Sequence, residues 1–98
     1  MKSIIAKTAE NVEFVISIDN IDNDRVNVYL NGINLKTNAV GNVFPSFYME
    51  HTKFHVKLDF EEIFKVIDYG ITYHFHWNED SKKEIENWIL TNIKNSFF

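Results

Sequence analysis

Between Val12 and Ile18 the residues alternate, with Val12, Phe14, Ile16 and Ile18 on one side and Glu13, Val15 and Ser17 on the other. A two-residue period is the signature of a β-strand that buries one face. The period returns in Val26, Val28 and Leu30 against Arg25, Asn27 and Tyr29, and again in Phe54, Val56 and Leu58 against Lys53, His55 and Lys57. Strands that are apolar on one side only must meet over a shared core, and they belong to antiparallel sheets with one solvated face.

The connections follow from turn chemistry. Asp19 to Asp24 is a run of Asp and Asn around Ile21, whose short polar side chains bond their own backbone and mark a turn. Asn31-Gly32 is the dipeptide suited to a type I′ hairpin, because both turn positions need positive φ. The spacing predicts that Leu30 opposes Ile33, Val28 opposes Leu35 and Val26 opposes Thr37, with Asn34 and Lys36 beside Tyr29 on the other face. From Val40 to Glu50, Pro45 interrupts an apolar run and leaves an edge strand or a packed loop.

At Asp59 the period changes. Phe60, Ile63, Phe64 and Ile67 fall at helical spacing, Asp59 and Glu62 form a capping pair, and Gly70 is placed to end the helix. Ile71, Tyr73, Phe75 and Trp77 then alternate with Thr72, His74 and His76, which predicts another strand. Ser81 and Glu84 make a capping box ahead of Ile85, Trp88, Ile89 and Ile93, the apolar stripe of a C-terminal helix. The expected fold is α+β: a mainly antiparallel sheet of about five to six strands, with a short helix and a C-terminal helix packed on one face.

Ninety-eight residues, 45% of them hydrophobic, with three Gly and one Pro, are expected to form a single domain over residues 1–98. The absence of cysteine excludes disulfides, thiolate metal sites and Cys nucleophiles. Ten basic residues against fourteen acidic ones give a formal net charge of -4, which argues against duplex DNA or an anionic membrane as partner. The run Ile4-Ile5-Ala6 between Lys2 and Lys7 is too short for a secretory signal or a membrane span, so a cytoplasmic location is expected, with neither membrane nor direct nucleic-acid binding.

Chemistry is sparse. There is no Gly-x-Ser-x-Gly elbow, and Gly32, Gly41 and Gly70 do not compose a phosphate-cradling loop. No cofactor, no metal site and no enzymatic activity are therefore expected. The one alternative is a small enzyme or a ligand- or metal-binding domain that uses a sheet face of His55, His74 and His76, with His51 nearby. Lys53 and Lys57 on that face would repel a cation. Asn20-x-Asp22-x-Asp24 has the first spacing of a calcium loop, but Arg25 stands where the loop needs glycine and Asn31 where it needs a bidentate glutamate.

What remains is a surface. Acid gathers at Asp19, Asp22 and Asp24 in one turn, at Asp59, Glu61, Glu62 and Asp68 along the first helix, and at Glu79 and Asp80 before the second. Caps, turns and helix dipoles explain many of these residues individually, yet together they give the surface a negative sign. Tyr29, among Arg25, Asn27, Asn34 and Lys36, has the aromatic-plus-polar character of a recognition surface. Asp19, Asp22, Asp24, Tyr29, Asp59, Glu61, Glu62 and Asp68 are thus the candidate partner-binding residues.

In size, acidity, lack of cysteine, its twelve asparagines and its strand-rich pattern, the chain resembles bacterial immunity proteins of interbacterial competition systems, including contact-dependent growth inhibition. The features that carry the resemblance are Asp19 to Asp24, Asp59 to Glu62 and Asn31-Gly32. The resemblance implies stoichiometric binding to a cognate protein toxin, often a basic nuclease domain, by covering its active site or a nearby surface. It assigns no functional residue, because such proteins diverge widely in sequence.

Overall fold

The structure, a computed structural model, describes residues 2–22, 24–33 and 52–94. Four strands come first: β1 (Lys2–Lys7), β2 (Glu13–Asn20), β3 (Arg25–Ile33) and β4 (Thr52–Lys57). Two helices follow, α1 (Phe60–Thr72) and α2 (Glu79–Lys94). The strands form one antiparallel sheet in the order β1-β2-β3-β4, so the molecule is α+β with four strands among the described residues, fewer than the five to six expected.

Register explains the core. Ile4 opposes Ile16, which opposes Leu30; Ile18 opposes Val28, which opposes Phe54; Val26 opposes Val56. Side chains of one parity thus share a face, and Ala6, Phe14, Ile16, Ile18, Val26, Val28 and Leu30 on it are buried. Both helices cover this face, α1 over β3 and β4 and α2 beside β1. Ile63, Ile67 and Ile71 of α1 and Ile85 and Ile89 of α2 complete the core with Phe75. Ser3, Ile5, Val15, Ser17, Asn27, Tyr29, Lys53 and His55 have the other parity and lie on the opposite face, which neither helix covers.

Four expectations are corrected. Asn31 and Gly32 do not turn the chain: both lie inside β3, opposite Val15 and Phe14, and Ile33 pairs with Glu13 instead of Leu30. No described glycine has positive φ, and β3 continues because β2 supplies a partner along its whole length. The partners proposed for that hairpin at Leu35 and Thr37, with Asn34 and Lys36 and the segment Val40 to Glu50, lie outside the described residues.

Gly70 does not end α1, which runs on to Thr72. A Cβ at Gly70 would lie 2.8 Å from Cδ2 of Leu30, so the missing side chain serves close packing of helix on strand. Ile71 and Phe75 continue the helical spacing of Ile63 and Ile67, and the tail of the expected strand shrinks to an isolated bridge between Trp77 and Thr8. Asp59 caps α1 as the sequence indicates, its side chain accepting from the Glu62 N–H at 3.2 Å.

Ser81 is not the cap of α2. Asn78 holds that place: its Oδ1 accepts from the Ser81 N–H at 3.1 Å and its carbonyl from the Lys82 N–H at 2.9 Å. The Ser81 hydroxyl instead accepts from the Lys7 N–H at 2.8 Å, while the Asn78 N–H donates to the Lys7 carbonyl at 3.3 Å. These bonds occupy the outer edge of β1 at its end, which the start of α2 covers.

Candidate functional site

Two acidic segments that are far apart in sequence meet at one end of the sheet. The β2–β3 turn leads into Arg25, which pairs with Lys57 at the end of β4, and the Leu58 N–H donates to the Asp24 carbonyl at 2.8 Å. That bond sets Asp22 and Asp24 beside Asp59 and the first turn of α1, where Glu61 and Glu62 are exposed. The turn is built by its own polar groups: the Asp22 carboxylate accepts from the Asp24 N–H at 3.0 Å, and the Ile21 N–H donates to the Arg25 carbonyl at 3.0 Å. The Asp24 N–H, helped by the neighbouring Arg25, holds the Asp22 carboxyl below its ordinary value. Glu61 and Glu62 suit the α1 N-terminus, whose dipole favours negative charge.

Asp19 lies near this end, half-buried on the uncovered face opposite Asn27. Tyr29 is on the same face, between Ser17 and Lys53, and is also half-buried. Asp68 is set apart. It lies about 13 Å along α1 from Asp59 at 1.5 Å per residue, and its Oδ1 accepts from the Trp77 indole N–H at 2.8 Å. Through that bond Asp68 supports the fold, fixing Trp77, which stacks on Phe64, which in turn stacks on Phe60. The structure therefore gathers Asp22, Asp24, Asp59, Glu61 and Glu62, with Asp19 and Tyr29 on the adjoining sheet face and Asp68 elsewhere.

One residue of this end escaped the charge-based reading. Ile21 is 45% exposed inside the acidic turn. Its signal was present in the sequence, as a single large apolar side chain within an otherwise polar run.

The three histidines do not share a face. His55 is exposed on β4, whereas His74 and His76 lie in the connection between the helices, because the strand expected to carry them is the end of α1 and a turn. Among the described residues no group of three or more His, Cys, Asp or Glu is placed to hold a metal ion. His76 has a different partner: its N–H donates to Oε1 of Glu10 at 3.0 Å, and its Nδ1 lies 2.7 Å from Oε2 of the same carboxylate. The Ala9 N–H donates to the His76 carbonyl at 2.7 Å, so the β1–β2 turn and the interhelical connection are clipped together.

Burial pushes the Glu10 carboxyl up, but the His76 N–H and ring outweigh it and hold the group below its ordinary 4.5. A carboxyl depressed in the fold stabilises the protein above its unfolded value and loses that contribution as pH falls through the folded one. Glu10→Gln is therefore expected to flatten the loss of thermal stability just below pH 4.5, measured as the melting midpoint against pH. An unchanged slope would show that the clip does not couple to folding.

No described helix is long and apolar enough to cross a membrane. With the fold and the acidic end defined, comparisons with protein-family models, with curated proteins and with solved structures find no match.

Proposed function

We propose that this protein is a small acidic binding domain that neutralises a cognate basic protein toxin by stoichiometric association, as an immunity protein does. The observation that supports this most is the convergence of the Asp22–Asp24 turn and the Asp59–Glu62 helix start at one end of the molecule, around the exposed Ile21. Clustered carboxylates steer a cationic partner and set its orientation, while a desolvated apolar side chain within a charged rim is the arrangement that slows dissociation. A nuclease domain, which must itself attract phosphate, offers the complementary field. No specific observation favours the histidine-based alternative, since His55 lies on a different element from His74 and His76.

The test is a pull-down of the tagged protein from its native host at low and moderate salt, with intact-mass measurement of the complex. One basic protein retained at fixed stoichiometry and released by raised salt is the expected result. Retention of nothing at either salt concentration would count against a cationic partner.

A further inference from the structure

The outer strand β4 exposes Lys53 and Lys57, opposite in sign to the acidic end. The Asp24–Leu58 bond sets the phase of the β3–β4 ladder, and by antiparallel alternation the couples Val26/Val56 and Val28/Phe54 exchange their main-chain bonds. The intervening residues Lys53, His55 and Lys57 therefore aim their N–H and C=O groups away from β3. The Lys57 carbonyl is taken by the Asp59 N–H at 2.8 Å, and no described residue takes the others. The edge of β1 differs, because Ser81 and Asn78 occupy its end at Lys7.

The same three residues expose cationic or titratable side chains on the uncovered face, and among the described residues neither lysine has an ion-pair partner. The charged groups nearest in register are Arg25, opposite Lys57, and Asp59, two residues beyond it. Phe54 and Val56, of the other parity, are half-buried at the rim of the core. A strand added here meets the ammonium groups of Lys53 and Lys57 on either side of the His55 ring, with apolar surface between.

We infer that the outer edge of β4, which no other described strand pairs, docks an extended segment of a partner protein in which acidic and apolar residues alternate. Main-chain bonds to Lys53 and His55 would supply the pairing, and carboxylates facing Lys53 and Lys57 the selectivity. A second copy fits poorly, because antiparallel pairing of two β4 strands about His55 sets Lys53 against Lys57. A nucleic acid offers phosphate acceptors for the N–H groups but no ladder of donors for the carbonyls. Lys57 adjoins the acidic end while Lys53 and His55 lie farther along the edge; the peptide titration reads the β4 edge and the pull-down a cationic partner, so the two tests fail independently.

The test titrates the full-length, 15N-labelled protein with a blocked synthetic peptide of alternating Glu and Val, and with the same peptide carrying Lys for Glu. The expected result is a set of saturating amide shifts confined to residues 53–57, weakened by added salt, with affinity for the Lys peptide lower by roughly fivefold to tenfold from two or three cross-strand charge pairs. The double variant Lys53→Glu/Lys57→Glu should reverse the preference. His55→Pro, which removes an outward N–H that no ladder bond uses, should abolish the shifts with only one positive-capable group lost. No localised shift with the Glu peptide, equal shifts with both peptides, an unreversed preference, or β4 broadening with protein concentration alone would overturn the inference.

Discussion

Phe14→Ala is expected to destabilise the protein by about 4 kcal/mol, near the upper end for aromatic truncation in a core. The ring is 2% exposed and meets Phe75 edge to face at a centroid distance of 5.7 Å. Its cross-strand neighbours are Ala6 and Gly32, a methyl group and no side chain at all, so neither can swing into the space the ring leaves. The cost therefore includes nearly the whole cavity and not only the lost transfer energy. For a domain of this size that corresponds to a fall in melting midpoint of roughly 20 °C, and of total stability typically 5–15 kcal/mol it is a large share. Thermal and urea unfolding of the purified variant measure it, and a loss below about 2 kcal/mol would contradict the packing described. Phe14→Leu, which keeps most of the volume, should cost well under half as much.

The second large effect concerns association. Reversing Asp22, Asp24, Glu61 and Glu62 to lysine removes the negative field of the acidic end and should slow capture of a cationic partner by about 10-fold to 1,000-fold at low salt. The salt dependence should shrink with it, because screening then has less attraction to remove. All four side chains are exposed, so direct packing losses are small, although the change at Asp22 removes its bond to the Asp24 N–H and lysines at the α1 N-terminus oppose the helix dipole at about 0.3–1 kcal/mol each. Unfolding curves for the variant separate that cost from binding. Ile21→Ala should act differently, leaving the association rate nearly intact and speeding dissociation. Stopped-flow association with the partner from the pull-down reads both quantities, and an unaltered association rate in the reversed variant would remove the acidic end from the interface.

The strands that could be read from sequence are those with one apolar side. β2, β3 and β4 alternate because the helices cover one face of the sheet and neither covers the other. β1 hides its period, since Ile4 points inward and its neighbour Ile5 outward at 52% exposure, so Ile4-Ile5-Ala6 reads as an unpatterned apolar run. Gly32 and Gly70 mislead for a related reason. Each answers to a partner distant in sequence, Phe14 across the ladder and Leu30 across the helix–sheet contact, and local turn rules cannot see either. Ile71 and Phe75 fit both a strand period of two and a helix step of four; both are buried, Ile71 on the core side of α1 and Phe75 in the turn that follows it. In the acidic end, the charges were legible residue by residue. Their meeting follows from the β3–β4 ladder, which the bond between Asp24 and Leu58 extends and which no local spacing encodes.

The order β1-β2-β3-β4 pairs each described strand with the next described one along the chain, so the sheet can zip up as the chain emerges during synthesis. Among the described residues its apolar side is covered by α1 and α2, which come last. At roughly 5–20 residues per second, a nascent meander would present Ile16, Ile18, Val26 and Val28 to solvent or to a chaperone for a few seconds before the helices arrive. Slowing translation after Lys57 should then raise the aggregated fraction, whereas the finished protein refolded from denaturant, with all its segments present at once, should be spared that interval.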